Sequence, residues 1–215
     1  MGKYTREPIN GFTHLAGAIL SFIGLLALVI KASIDKPSII SITSVIIFGL
    51  SLILLYTAST VYHLVKSSDK VISWLRRLDH AMIFILIAGS YTPLCLVALK
   101  GKTGWVMFSI IATIAIAGVC FKMIWFDCPR WISTLIYIGM GWIAVFIMGP
   151  LYRAISLNGT ILLLGGGLLY TVGAVIYAVK PKFLEFKKFA FHEIFHVFIL
   201  LGSLSHFFCV FSYVI

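Results

Sequence analysis

His192 and His196 stand four residues apart in an apolar stretch, FHEIFHVFILLGSLSHFFCV, that runs from Phe191 to Val210. On a helix that spacing points both imidazoles the same way. Ionisable groups inside a lipid-facing run are costly and face something polar. Two imidazoles on one face, joined by a third from a neighbouring helix, make a three-nitrogen tetrahedral site for Zn2+ with one open position. A water in that position has its pKa lowered toward about 7. His63 is the expected third ligand. Asp79 is suited to hydrogen-bond that water or a ligand imidazole, and Ser59, one turn from His63 on the same face, to do likewise. Imidazole ligands suit zinc, iron, copper and nickel alike. The blander alternative is a set of separate polar groups that pair helices by hydrogen bonds.

Residues 192–196 also read H-E-I-F-H, the zincin pattern with Glu193 as general base. The metzincin extension is missing, and three fixed positions make a weak pattern. Glu193 reads instead as an interfacial carboxylate near Lys187 and Lys188. His206 comes ten residues after His196, about 15 Å along a helix and turned off the ligand face. It reads as a packing or hydrogen-bonding residue. His14 opens the first apolar run and is a lesser candidate. His80 follows Asp79 and points elsewhere.

Elements long enough to carry these residues are visible throughout. Of the 215 residues 61% are hydrophobic and 11% charged, against roughly 25% charged in soluble domains. The mean hydropathy is +1.08. These values exclude an ordinary soluble globule and a disordered chain, and predict an all-α polytopic membrane protein. Seven apolar runs cover about 12–30, 41–65, 79–99, 104–126, 131–150, 160–180 and 190–214, as one transmembrane domain over residues 1–215. The first reads as a span rather than a cleavable signal peptide. Period-2 alternation is absent, so a β-barrel is not expected. The longest connection, Lys66 to Arg77, reads as amphipathic and interfacial. Gly165–Gly167 inside a span predicts close helix packing. Cys95, Cys120, Cys128 and Cys209 form no metal-binding spacing and read as small apolar core residues.

Charge sets the direction. The formal net charge of +10 lies between apolar runs, a pattern for topology and anionic lipid and not for nucleic acid. Of seventeen Lys and Arg, five (Lys31, Lys36, Lys100, Lys102 and Arg153) fall on one side. The remaining twelve, among them Lys3, Arg6, Lys66, Arg76, Lys122, Arg130, Lys182, Lys187 and Lys188, fall on the other. Positive charge prefers the cytoplasm. The N-terminus is then cytoplasmic and the C-terminus outside. With that orientation, His63 at the end of the second span, Asp79 at the start of the third, and His192 and His196 at the start of the seventh reach one level near the cytoplasmic face.

The motifs carry a family likeness over essentially the whole chain. SxxxH is present as Ser59 to His63, RLDHAMIF surrounds Asp79, AGSYTP spans Ala88–Pro93, and HxxxH is His192 and His196. REPINGFTHLAGAILSFIG near the start and FKMIWFDCPRWISTLIYIGMGW in the middle fit as well. Together these resemble the bacterial hemolysin III branch of the progestin and adipoQ receptor superfamily. The resemblance implies a seven-helix protein of the bacterial plasma membrane with a cytoplasmic N-terminus. It also implies zinc held by three histidines, here His63, His192 and His196, with Asp79 reaching the metal through water and Ser59 in the serine motif. The adiponectin receptors carry Gln after the first histidine of HxxxH, which argues against Glu193 as a required base. The superfamily also includes alkaline ceramidases.

Three functions follow as expectations. One is a zinc-dependent hydrolase of lipid amide or ester bonds, with membrane lipid as substrate or ligand. Another is a sensor or membrane-homeostasis protein with a structural zinc site. The third is a pore-forming cytolysin, against which counts the lack of a continuous polar face on any span.

Overall fold

Apolar runs of this length fold as helices because lipid offers their backbone no hydrogen-bond partner. The computed structural model describes residues 5–181, 184 and 190–215, and no strand occurs among them. The helices are α1 (Pro8–Asp35), α2 (Ile39–Leu64), α3 (Asp69–Pro93), α4 (Gly101–Ile124), α5 (Arg130–Trp142), α6 (Met148–Val179) and α7 (Phe191–Cys209). A π turn, Leu94–Leu99, extends α3, and another, Val210–Val214, extends α7. A 3-10 turn, Ile143–Ile147, joins α5 to α6. Of the basic residues used for orientation, Lys3, Lys182, Lys187 and Lys188 lie outside the described residues, as does any pairing of Glu193 with the last two.

Six helical stretches are long and apolar enough to cross a membrane. The expected fifth and sixth spans fall in one stretch, Arg130–Val179, of 50 residues. A straight helix of that length would measure about 75 Å, more than twice the ~30 Å hydrocarbon core. The stretch is not straight. Ser156 (φ 62, ψ 178) is non-helical inside α6. Beyond it the chain returns along α5, where Trp142 Nε1 donates to Thr171 Oγ at 2.9 Å and the Arg130 guanidinium lies 5.5 Å from the Tyr177 ring.

The segment Lys66–Arg77 differs from its expected form. It stays at the surface, with no buried residue, but it is no separate connection: α3 begins at Asp69 and runs unbroken past Asp79. Asp69 in the first turn favours this early start, because a carboxylate complements the positive end of the helix dipole. Asp79 therefore sits mid-helix, three turns in, rather than at a helix start.

α1 packs on α2, α2 on α3, and α3 on α4, while α7 lies against both α6 and α1. α2 and α3 are the interior helices. Half of α2's apolar window is buried, against 17% for α1, whose outer face shows Ile19, Leu20, Ile23 and Ile30, as a lipid-facing helix should. The expected close approach at the triple glycine is met by one residue, Gly166. A Cβ there would run into the His206 ring, whereas Gly167 faces open space. Cys95, Cys128 and Cys209 are buried as expected, and Cys120 is exposed.

Candidate metal centre

The end of α2 lies beside the start of α7, and both carry histidine. His63, in the last turn of α2, is fully buried, and His196 is 2% exposed. His192 precedes His196 by one turn on the same face. The three ring centroids form a nearly equilateral triangle. His63 lies 5.0 Å from His192 and 4.9 Å from His196, and those two are 4.7 Å apart. One ligand atom from each ring lies within 4.8 Å of the others. Three imidazoles at that spacing can hold a metal ion.

The hydrogen bonds around the rings fit that use. His63 Nδ1 faces Glu7 Oε2 at 2.7 Å. The carboxylate is an acceptor, so Nδ1 carries the proton and Nε2 is left with its lone pair. His63 Nε2 is buried without a protein partner, and so is His196 Nδ1. Buried polar atoms left unpaired are costly, and ligation satisfies them. A carboxylate behind a ligating histidine fixes its tautomer and raises its basicity.

Glu7 is the site residue that sequence reasoning missed. It comes from the tail before α1, which straps across the end of α2. Glu7 N donates to His63 O at 3.0 Å, Arg6 Nη2 donates to Tyr62 O at 2.8 Å, and the Arg6 guanidinium sits 4.3 Å from the Tyr62 ring. The His63 hydrogen bond is the main cause that holds the Glu7 carboxyl down to about 2, against the opposing effect of its partial burial. The available signal was the carboxylate in REPIN, on the membrane side assigned to His63.

Asp79 and Ser59 both line the cavity that His192 and His196 line, which extends between α3, α5, α6 and α7. Ser59 Oγ is buried without a hydrogen-bond partner among the described residues. The cavity explains why the Asp79 side chain, deep in the protein, keeps 15% exposure. Of the expected residues, His63, His192 and His196 cluster, and His192 and His196 share the cavity lining with Asp79 and Ser59.

Other residues fall differently. Glu193 Oε2 accepts from Ala190 N at 2.9 Å and so caps α7, the N3 role of a helix-start glutamate. His206 Nε2 meets Leu163 O at 3.1 Å, a packing contact between α7 and α6. His80 does not point away. Its ring lines the same cavity, with Nδ1 3.5 Å from Asp79 Oδ2 and Nε2 3.2 Å from Tyr177 Oη. His14, a lesser candidate, stacks on His196 with centroids 3.6 Å apart and planes 9° apart. Both of its ring nitrogens are buried without partners.

Helices of this length and apolarity, with a polar cluster held inside them, define an integral membrane protein with a buried polyhistidine site. Residues 3–207 match the family model described as Haemolysin-III related, and the chain belongs to that family. It is 42% identical to Hemolysin-3 of Bacillus cereus over 218 residues, covering all of this chain and 95% of the relative. Against the Hemolysin-3 homolog of Bacillus subtilis (strain 168) the identity is 39%, over 96% of this chain and 93% of the relative. A more distant relative, the human monocyte to macrophage differentiation factor, is 25% identical over 78% of this chain and 68% of its own length. The chain is a bacterial integral membrane protein of the hemolysin III family.

Proposed function

We propose that this chain is a zinc-dependent hydrolase of lipid amide or ester bonds, with its site near the cytoplasmic face. The observation that carries the reading is the His63, His192 and His196 triangle, two of whose rings share with Asp79 a cavity lined mainly by apolar side chains. Bound by these rings, zinc supplies a Lewis acid that polarises a carbonyl and acidifies water. Asp79 orients the attacking water and takes its proton, as a positioned carboxylate does in general base catalysis. Ser59 adds a hydroxyl to the same cavity lining. Glu7 fixes the His63 ring, and the apolar cavity walls hold the acyl chain and exclude bulk water.

In this reading the chain crosses the membrane seven times, with its N-terminus in the cytoplasm and its C-terminus outside. The reversal at Ser156 supports the count, and the Lys and Arg distribution supports the direction. Side-selective labelling of single cysteines introduced at residues 68 and 156 tests both. Labelling of the two from the same side sinks the topology.

The test of function is metal analysis of the purified protein beside His63→Ala, followed by a screen of ceramide-like and phospholipid substrates. His63→Ala should lose the metal. Asp79→Asn should keep it and lose turnover by at least about a hundredfold. A zinc-loaded protein inert across the panel would sink the hydrolase.

One observation favours a second reading, in which zinc is structural in a sensor or homeostasis protein. The three ligands tie α2 to α7, which are far apart in sequence. If His63→Ala unfolds the protein while Asp79→Asn changes nothing, that reading stands. Pore formation by a cytolysin has weaker support, since the outward faces of α1 and α4 are apolar.

A further inference from the structure

One end of the cavity is strongly basic, and the function proposed above makes no use of it. Among the described residues its lining includes Arg76, Lys122 and Arg130 but a single carboxylate, Asp79. Lys122 lies within α4 and is only 3% exposed. Its Nζ donates to Cys128 Sγ at 3.4 Å, a weak acceptor. The Phe126 ring lies between the basic groups. Lys122 Nζ is 5.6 Å from its centroid, the Arg76 guanidinium 4.8 Å and the Arg77 guanidinium 5.5 Å. Arg130 rests over Tyr177. No carboxylate lies within ion-pair distance of Arg76, Lys122 or Arg130 among the described residues.

Burying a cation without a counter-charge is expensive, and an aromatic ring and a thiol offset little of that cost. An anion in the cavity would offset it, and arginine with lysine is a common donor set for phosphate and carboxylate. The basic end adjoins the metal centre. Tyr177 joins the two, touching the His192 ring at 5.6 Å and His80 by hydrogen bond. From there the cavity continues along α3 to Leu94, eighteen residues from Arg76 and thus about 27 Å of helix. Its far walls are apolar, among them Leu86, Ile87, Leu163 and Ile199.

We propose that the cavity takes an anionic amphiphile, its phosphate or carboxylate held by Arg76, Lys122 and Arg130 and its hydrocarbon chain laid along α3. The proposal rests on the lipid reading above and gives its substrate a charged headgroup beside the metal centre, in place of a neutral one.

The experiment measures lipid binding to the purified full chain in neutral detergent by native mass spectrometry, with metal content determined on the same samples. The probes are dioleoyl phosphatidate, dioleoylglycerol and inorganic phosphate. Wild-type protein should bind phosphatidate at least about tenfold more tightly than the uncharged lipid. Lys122→Met and Arg130→Gln should each reduce that preference about tenfold. Arg153→Gln, on the opposite side and outside the cavity, should leave it unchanged. Lys122→Met retains the shape and removes a buried charge, so it should fold at least as well as wild type. A structural lysine would instead destabilise the protein when replaced. Equal binding of the two lipids, or a preference that survives both variants, overturns the proposal. Inorganic phosphate bound as tightly as phosphatidate overturns it too, because the chain would then contribute nothing. Loss of metal with the headgroup preference intact would count against the zinc reading alone.

Discussion

Two glutamates near the cluster divide its work in an unexpected way. Glu193 belongs to a motif that elsewhere supplies a catalytic base, yet here its carboxylate is committed to the Ala190 backbone. Glu193→Ala should leave zinc affinity unchanged and lower stability by about 1 kcal/mol, the usual loss for a helix-start cap, as read by thermal unfolding. Glu7 belongs to no motif and touches a ligand directly. Glu7→Gln should weaken zinc binding about 10- to 100-fold, as losses behind ligating histidines do, measured by competition with a calibrated chelator. The histidine triangle was legible because i,i+4 spacing and the Lys and Arg count need only helical geometry. Glu7 was not, because the path of a non-periodic tail follows from tertiary contacts. His80 was misjudged for a related reason: a residue next to Asp79 was assumed to face away, but both line one cavity where α3 passes it.

The helices themselves were largely legible from apolar run length, and the misses occur where a local device overrides hydropathy. α3 starts ten residues before its apolar run because Asp69 opens it and its polar first turns tolerate the charges of Lys70, Arg76 and Arg77. The reversal falls on Ser156, between the fifth and sixth apolar runs, although Asn158 and Gly159 are the commoner turn residues. Its φ of 62° is unusual for serine. Within the triple glycine the sequence gives no way to tell which member makes the close contact, since that depends on how α7 sits against α6. Gly166→Ala should destabilise by about 1–3 kcal/mol through overpacking against His206, while Gly167→Ala, facing open space, should be tolerated. Thermal melts of the two variants side by side check this.

At the scale of the molecule, membrane residence and family were both legible, because composition and motif order extend over the whole chain. The cavity was not, since it exists only between packed helices. If zinc joins α2 and α7, its removal should loosen the entire bundle, because a ligand bound only by the folded state adds to its stability. At a free zinc concentration about 1,000 times Kd the contribution is about 4 kcal/mol. Chelation should therefore lower the unfolding temperature of wild type and have no effect on His63→Ala. A wild-type melt unmoved by chelator would leave the metal no role in holding the helices together.

The strap at Glu7 has a bearing on biosynthesis. It precedes α1 and meets His63 at the end of α2, while His192 and His196 come far later in the chain. The strap and α2 can meet as soon as the first hairpin is inserted, presenting one oriented imidazole inside an unfinished bundle. Only insertion of α7 supplies the other two. A nascent chain stalled short of α7 would expose a lone ligand and an open cavity, so metal capture would report that α7 has been inserted.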